Sequence, residues 1–138
     1  MTQPLVVGAN ASLKKSFTSA DVEKFAEVSL DSNPIHLDEE AGKASIFKQR
    51  VVHGALVSSL FSALLGCELP GEGTIFLGQT IKFSAPVFLN EEITATVEVA
   101  SIHSRRRIVT FNLTAVNPEG TVVISGEATV MAPKHLLS

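Results

Sequence analysis

Apolar positions change their spacing once along this chain. From Thr18 to about Leu69 they recur at helical or irregular intervals, whereas from Gly73 onward they alternate with polar residues as strands do. Helices first and strands afterwards predict an α+β arrangement, because a parallel βαβ fold would interleave the two. The first helix is announced by Thr18 with Asp21 three residues on, an acidic variant of the capping box. Val22, Phe25, Ala26 and Ser29 then give a single apolar stripe, the mark of a helix lying on a surface. Pro34 lacks an N–H and pushes Asn33 toward extended backbone, so the helix is expected to stop near Asp31, leaving Asp31 to His36 as a loop.

A second helix is predicted over about residues 54–65, where Ala55, Leu56, Val57, Leu60, Phe61, Ala63, Leu64 and Leu65 spread around the whole circumference and only serines interrupt them. A helix apolar on nearly every side is expected to be buried on nearly every side, which a sheet wrapped around it achieves. Four strands follow Gly71-Glu72-Gly73. Ile75, Leu77, Ile81 and Phe83 are placed on one face, broken at Gln79, and Pro86 ends or bends that strand. Ile93, Ala95, Val97 and Val99 share a face of the next, and Val109, Phe111, Leu113 and Ala115 a face of the third. Asn117-Pro118-Glu119-Gly120 is a turn into a last strand between Thr121 and Met131, and a further strand is expected within Leu5 to Phe17. The picture is one curled antiparallel sheet around one central apolar helix.

Composition narrows what such a domain can do. With 138 residues, 45% of them hydrophobic, the chain (1–138) reads as a single domain with a sizeable core. A net charge of −3 and a pI near 5.8 exclude a basic face for nucleic acid. Arg105-Arg106-Arg107 is the one basic run; set between strand patterns, it reads as a solvated hairpin turn or as a contact for an anionic ligand. The lone Cys67 excludes an internal disulfide and, in its apolar setting, reads as a small hydrophobe. No secretory signal and no run of the ~18 apolar residues that a membrane span needs is found. A soluble, cytoplasmic protein is expected, with organellar import left open.

Candidate chemistry is sparse: four histidines, at 36, 53, 103 and 135, and neither Tyr nor Trp. Asp31 alone fits a helix-ending aspartate and His36 alone a hydrogen-bonded structural imidazole. Together, on either side of Asn33-Pro34, they are positioned to hold one water between an acid and a base. Gly54 stands where the second helix begins, either as a plain helix start or as an unpaired N–H open to an oxyanion. His36-Leu37-Asp38 has no third ligand at helical spacing, so no metal is expected. Gly71 and Gly73 lack the third glycine of a dinucleotide loop.

The stretch Ser29-Leu30-Asp31-Ser32-Asn33-Pro34-Ile35-His36, followed by Arg50-Val51-Val52-His53-Gly54, resembles the MaoC-like family, in particular its short (R)-specific enoyl-CoA hydratases. Phe47, Ser59-Leu60-Phe61-Ser62, Leu69-Pro70-Gly71 and Pro86-Val87-Phe88 extend the resemblance over nearly the whole chain, while Leu30 stands where many relatives carry Gly and Val51 where Pro is common. The resemblance implies the hot-dog fold, a homodimer, and reversible syn hydration of a trans-2-enoyl-CoA thioester to the (3R)-3-hydroxyacyl-CoA without cofactor. By the same resemblance Asp31 and His36 hold the attacking water, the Gly54 N–H binds the oxyanion, and Ser62 helps to position the pair. Asn33 reads as a brace of the loop more than as a substrate contact. The alternatives are a 3-hydroxyacyl-[acyl carrier protein] dehydratase, a hot-dog acyl-CoA thioesterase, against which speaks the lack of a carboxylate between Gly54 and Gly66, and a non-catalytic acyl-thioester binding module. Acyl-chain length, carrier and pathway are not legible in the pattern. For the fold, the buried-helix assignment predicts that Leu60→Ala costs ~2–5 kcal/mol, read as a lowered thermal midpoint; an unchanged midpoint contradicts burial.

Overall fold

The computed structural model describes residues 4–137. In chain order it contains β1 (Asn10–Ser16), α1 (Ser19–Ser29), α2 (Pro34–Leu37), α3 (Glu39–Ala44), α4 (Gly54–Cys67), β2 (Ile75–Phe83), β3 (Glu92–His103), β4 (Ile108–Val116) and β5 (Val122–Met131), with a 3-10 turn over Lys134–Leu136. The strands form one antiparallel sheet in the order β1-β3-β4-β5-β2, curled around α4 as in the hot-dog fold.

The capping box forms as the sequence predicts. The Asp21 N–H donates to the Thr18 hydroxyl at 3.2 Å and the Thr18 N–H to the Asp21 carboxylate at 3.0 Å. That backbone N–H holds the Asp21 carboxyl below its ordinary pKa, so the stability it lends is present above the unfolded pKa and fades as pH falls through the folded one. Val22 and Ala26 bury the inner face of α1.

Alternation in β3 and β4 translates directly into burial. Ile93, Ala95, Val97 and Val99, with Val109, Phe111, Leu113 and Ala115, face the core and are all buried. Against them packs α4 through Val57, Leu60, Phe61, Leu64 and Leu65. Its other face is less enclosed than the all-round apolar pattern predicts: Ala55, Ser59, Ser62, Ala63 and Gly66 are exposed. Cys67, at its end, is exposed as well and is not the buried hydrophobe its setting suggested.

Three local expectations are corrected. A bulge between Phe76 and Gly78 shifts the register of β2 against β5. Phe76 therefore lies opposite the buried Val130 on the core side and Ile75 on the other, so Ile75 does not share a face with Ile81 and Phe83. The stretch from Asp31 to His36 is only partly a loop, because Pro34 begins α2: its fixed φ and missing N–H suit the first position of a helix, and the Asn33 side chain caps it by accepting from the Ile35 N–H at 3.2 Å. Of the arginine run, Arg105 and Arg106 are exposed in the β3–β4 turn, whereas Arg107 folds back to donate to the Ala132 carbonyl at 3.3 Å.

The two edges of the sheet differ. β1 carries Lys14 and Lys15, whereas β2 exposes Ile75, Phe76, Leu77 and Phe83. Inside the sheet, Gly126 on β5 is a steric necessity, since a Cβ there would lie 2.0 Å from the Thr80 carbonyl oxygen on β2. Gly126→Ala must part these strands, and a loss of about 1–3 kcal/mol or more is expected from such overpacking, measurable as a fall in the urea midpoint.

Candidate active site

The segment between α1 and α2 is held by a chain of short-range bonds that its sequence dictates. The Asp31 N–H donates to the Ser29 hydroxyl at 3.1 Å, and the Asn33 N–H donates to Asp31 Oδ1 at 3.3 Å. Such side-chain bonds two residues back are what Ser, Asp and Asn make in turns. Asn33, capping α2 at the same time, is thus a brace of the loop, as expected.

Leu30 ends α1 in the left-handed region, with φ 68° and ψ 8°, and its N–H closes on the Ala26 carbonyl at 2.8 Å. This conformation swings the chain out of the helix axis and turns Asp31 toward α2.

His36 is fixed from two sides. Its Nδ1 lies 2.7 Å from the Val51 carbonyl oxygen; a carbonyl only accepts, so Nδ1 carries a proton, and in the neutral ring the lone pair is then on Nε2. Its own carbonyl accepts from Arg50 Nε at 2.8 Å, and the buried Arg50 guanidinium also meets Glu39 at 3.2 Å. α3, which the sequence pattern did not predict, supplies that carboxylate. Its Asp38 cap accepts from the Glu40 N–H at 3.1 Å.

A carboxylate oxygen of Asp31 and ring nitrogens of His36 and His53 lie within 4.8 Å of one another. At hydrogen-bond lengths of ~2.8 Å a single water reaches both Asp31 and His36 across that span. The same three side chains make a candidate cation site, but the histidine rings are stacked, with centroids 3.8 Å apart and planes inclined by 24°. Lone pairs lie in the ring planes, and planes so nearly parallel converge far beyond the ~2.0–2.1 Å of a metal–nitrogen bond.

His36 and Gly54 line one cavity of about 580 Å³, whose walls include Phe47, Val57, Phe83 and Val87. Gly54 opens α4, no side chain caps that end, and the Gly54 N–H donates to no backbone carbonyl among the described residues. A Cβ on Gly54 would come 2.7 Å from the Phe83 ring, so any side chain here would have to push that ring aside. Ser62 lies elsewhere: it is exposed on α4 and is not part of this cavity's wall in the single chain.

Residues 7–119 match the family described as MaoC like domain. The chain is 44% identical over 131 residues to the (R)-specific enoyl-CoA hydratase of Aeromonas caviae, covering 95% of this chain and 98% of that one. It is also 44% identical over 126 residues to the (R)-specific enoyl-CoA hydratase of Rhodospirillum rubrum, covering 91% and 87%. Its fold superposes on the solved (R)-hydratase from A. caviae involved in PHA biosynthesis with a TM-score of 0.92, 43% identity and coverage of 96% and 100%. The chain belongs to the MaoC-like family.

In this MaoC-like chain two residues of the site carry no functional signal in the sequence, where His53 reads as structural and Phe83 as part of a strand. His53 stood in view within Val52-His53-Gly54 but gave no local sign that it would stack on His36. Phe83, at the end of a strand, gave no sign that it would lie across Gly54. A signal for Leu30 did exist: the residue just past a helix end is where the backbone commonly turns left-handed and Gly is favoured, and here a leucine, 85% exposed, bears that geometry. Leu30→Gly removes a left-handed strain worth ~1–2 kcal/mol, less the extra chain entropy of Gly. A gain of up to about 1 kcal/mol is expected from that balance, measured by the denaturant midpoint.

Proposed function

We propose that this protein catalyses the reversible syn addition of water to a trans-2-enoyl-CoA thioester, giving the (3R)-3-hydroxyacyl-CoA, with Asp31, His36 and the Gly54 N–H as its working groups. The observation that carries the reading is the approach of the Asp31 carboxylate to His36, which shares the wall of one largely apolar cavity with the unpaired helix-start amide of Gly54. The names of the relatives agree with it.

Both Asp31 and His36 Nε2 are acceptors, so a water between them donates a hydrogen to each and turns an oxygen lone pair toward the cavity. As that oxygen bonds to the β-carbon, one acceptor takes the water's proton, and the π electrons move through the α-carbon onto the thioester oxygen. The enolate forms at the start of α4, where free N–H groups and the helix dipole favour negative charge. The Asp31/His36 pair then hands the proton it received to the α-carbon on the side from which water entered, as the oxygen's electrons return to rebuild the thioester, so that the pair ends in its starting state. No electrons are gained or lost and no cofactor is called on. The apolar walls suit an acyl chain.

Two features support a homodimer: the exposed apolar edge of β2 and the open face of α4 carrying Ser59 and Ser62. Ser62 lies on that open face, which a second copy would cover. We further read residues 1–138 as one catalytic domain, soluble and cytoplasmic. No helix among the described residues is long and apolar enough to cross a membrane.

The test is hydration of crotonyl-CoA followed by loss of the enoyl absorbance, with chiral analysis of the product. Wild-type protein should give the R alcohol. Asp31→Asn and His36→Gln should each lower kcat by ~10²–10⁴-fold, the usual weight of a positioned acid or base, with unchanged circular dichroism. An S product, or full activity in either variant, overturns the reading; free CoA released instead of the alcohol would make the protein a thioesterase.

A further inference from the structure

The hydration reading leaves one buried ionisable side chain without a task. His53 is 2% exposed and immediately precedes Gly54. Its Nε2 lies 2.9 Å from the backbone carbonyl oxygen of Asp31, 22 residues earlier in the chain. A carbonyl cannot donate, so Nε2 carries the proton and the bond runs from His53 to Asp31. Its Nδ1, fully buried, meets no hydrogen-bond partner among the described residues. One face of the ring stacks on His36 with centroids 3.8 Å apart, and Phe25 packs edge-on at 4.9 Å.

A histidine kept only to fill space would be poorly chosen here. An apolar ring of similar size would fill the same volume without leaving an orphaned lone pair, which is costly inside a protein. What an apolar ring lacks is the Nε2–H. That donor ties the loop bearing Asp31 to the residue before Gly54, while the flat face of the same ring supports His36. The two histidines consequently hold opposite tautomers: His36 is protonated at Nδ1, toward Val51, and His53 at Nε2, toward Asp31. Within Val51–Gly54, three positions each fix one part of the site: the Val51 carbonyl sets the His36 ring, His53 sets Asp31 and backs His36, and Gly54 presents its N–H.

We propose that His53 is a positioning residue that, through its Nε2–H bond to the Asp31 carbonyl and its stack on His36, sets the separation of the acid–base pair from each other and from the Gly54 amide. The proposal rests on the hydration reading above and adds to it a residue that touches neither water nor substrate. A group acting in this way changes the rate of the chemical step more than the binding of substrate.

The discriminating variants are His53→Gln and His53→Asn. The glutamine amide nitrogen reaches the place of Nε2 and can restore the bond to Asp31, whereas the asparagine amide reaches only the place of Nδ1. Neither restores the ring. With crotonyl-CoA, His53→Asn should lower kcat about 10- to 100-fold, the scale of a misplacement near 1 Å, with KM within roughly threefold. His53→Gln should recover at least about fivefold of that loss in kcat. Equal kcat in the two variants, or a loss confined to KM, overturns the proposal, because mere filling of space would not distinguish the amides.

Nitrogen-15 NMR of the wild-type imidazoles supplies a readout that needs no variant and stands if His53→Asn does not fold. The Nε2–H form is expected for His53 and the Nδ1–H form for His36. A His53 protonated at Nδ1 and not at Nε2 overturns the proposal. Asp31→Asn separates the two levels of argument: if that variant is fully active the hydration site itself is wrongly placed, and if it is inactive while His53→Asn keeps wild-type kcat, only the role of His53 fails.

Discussion

Val57, Leu60, Phe61, Leu64 and Leu65 lose nearly all contact with water because the sheet curls around them, and the sheet in turn has no other body to close upon. Each such side chain contributes ~1.5–3 kcal/mol when fully buried, and none of it is gained unless helix and sheet fold together. The chemistry inherits its rigidity from that mutual burial. Once α4 is fixed lengthwise in the sheet, its first residue is fixed too, and with it the amide of Gly54 at the wall of the cavity. The Val52 N–H, bonded to the Val87 carbonyl at 2.8 Å, anchors the approach to the helix from the other side.

Against this rigid element the segment from Leu30 to His36 is built by local means. It owes its path to a left-handed leucine, three side-chain-to-backbone bonds and a proline at the start of a four-residue helix. None of these is strong, and a segment so small has no core of its own. It is held in place where it touches the stretch leading into α4, through His36 on the Val51 carbonyl and His53 on the Asp31 carbonyl. A strained, exposed loop clipped to a buried helix is a common way of holding reactive groups at defined spacing.

What the sequence disclosed follows from the range over which each feature is decided. The faces of β3 and β4, the capping box at Thr18 and the course of α4 are decided by neighbours in sequence, and periodicity reads them correctly. The bulge in β2 is decided by the pairing of Phe76 and Gly78 with β5, and the open side of α4 by where the sheet stops. These are tertiary facts, and alternation carries no trace of them. Within the site, Asp31, Asn33, Pro34 and His36 form a compact motif whose closeness in space follows from closeness in sequence. His53 is 22 residues from the carbonyl it holds, and its place became visible only with the fold.

The unlike edges of the sheet carry a consequence for how copies of the chain can join. Pairing the β1 edge of one copy with the β2 edge of the next would leave both edge types free again at the ends, and such joining can run on as an open-ended fibre. Lys14 and Lys15 make the β1 edge a poor partner for that chemistry. Two β2 edges brought together antiparallel use up both sticky borders at once, so that growth halts after a single step. If copies of the chain join at their edges, the distribution of two lysines and a few large apolar side chains favours a finite assembly over an endless one.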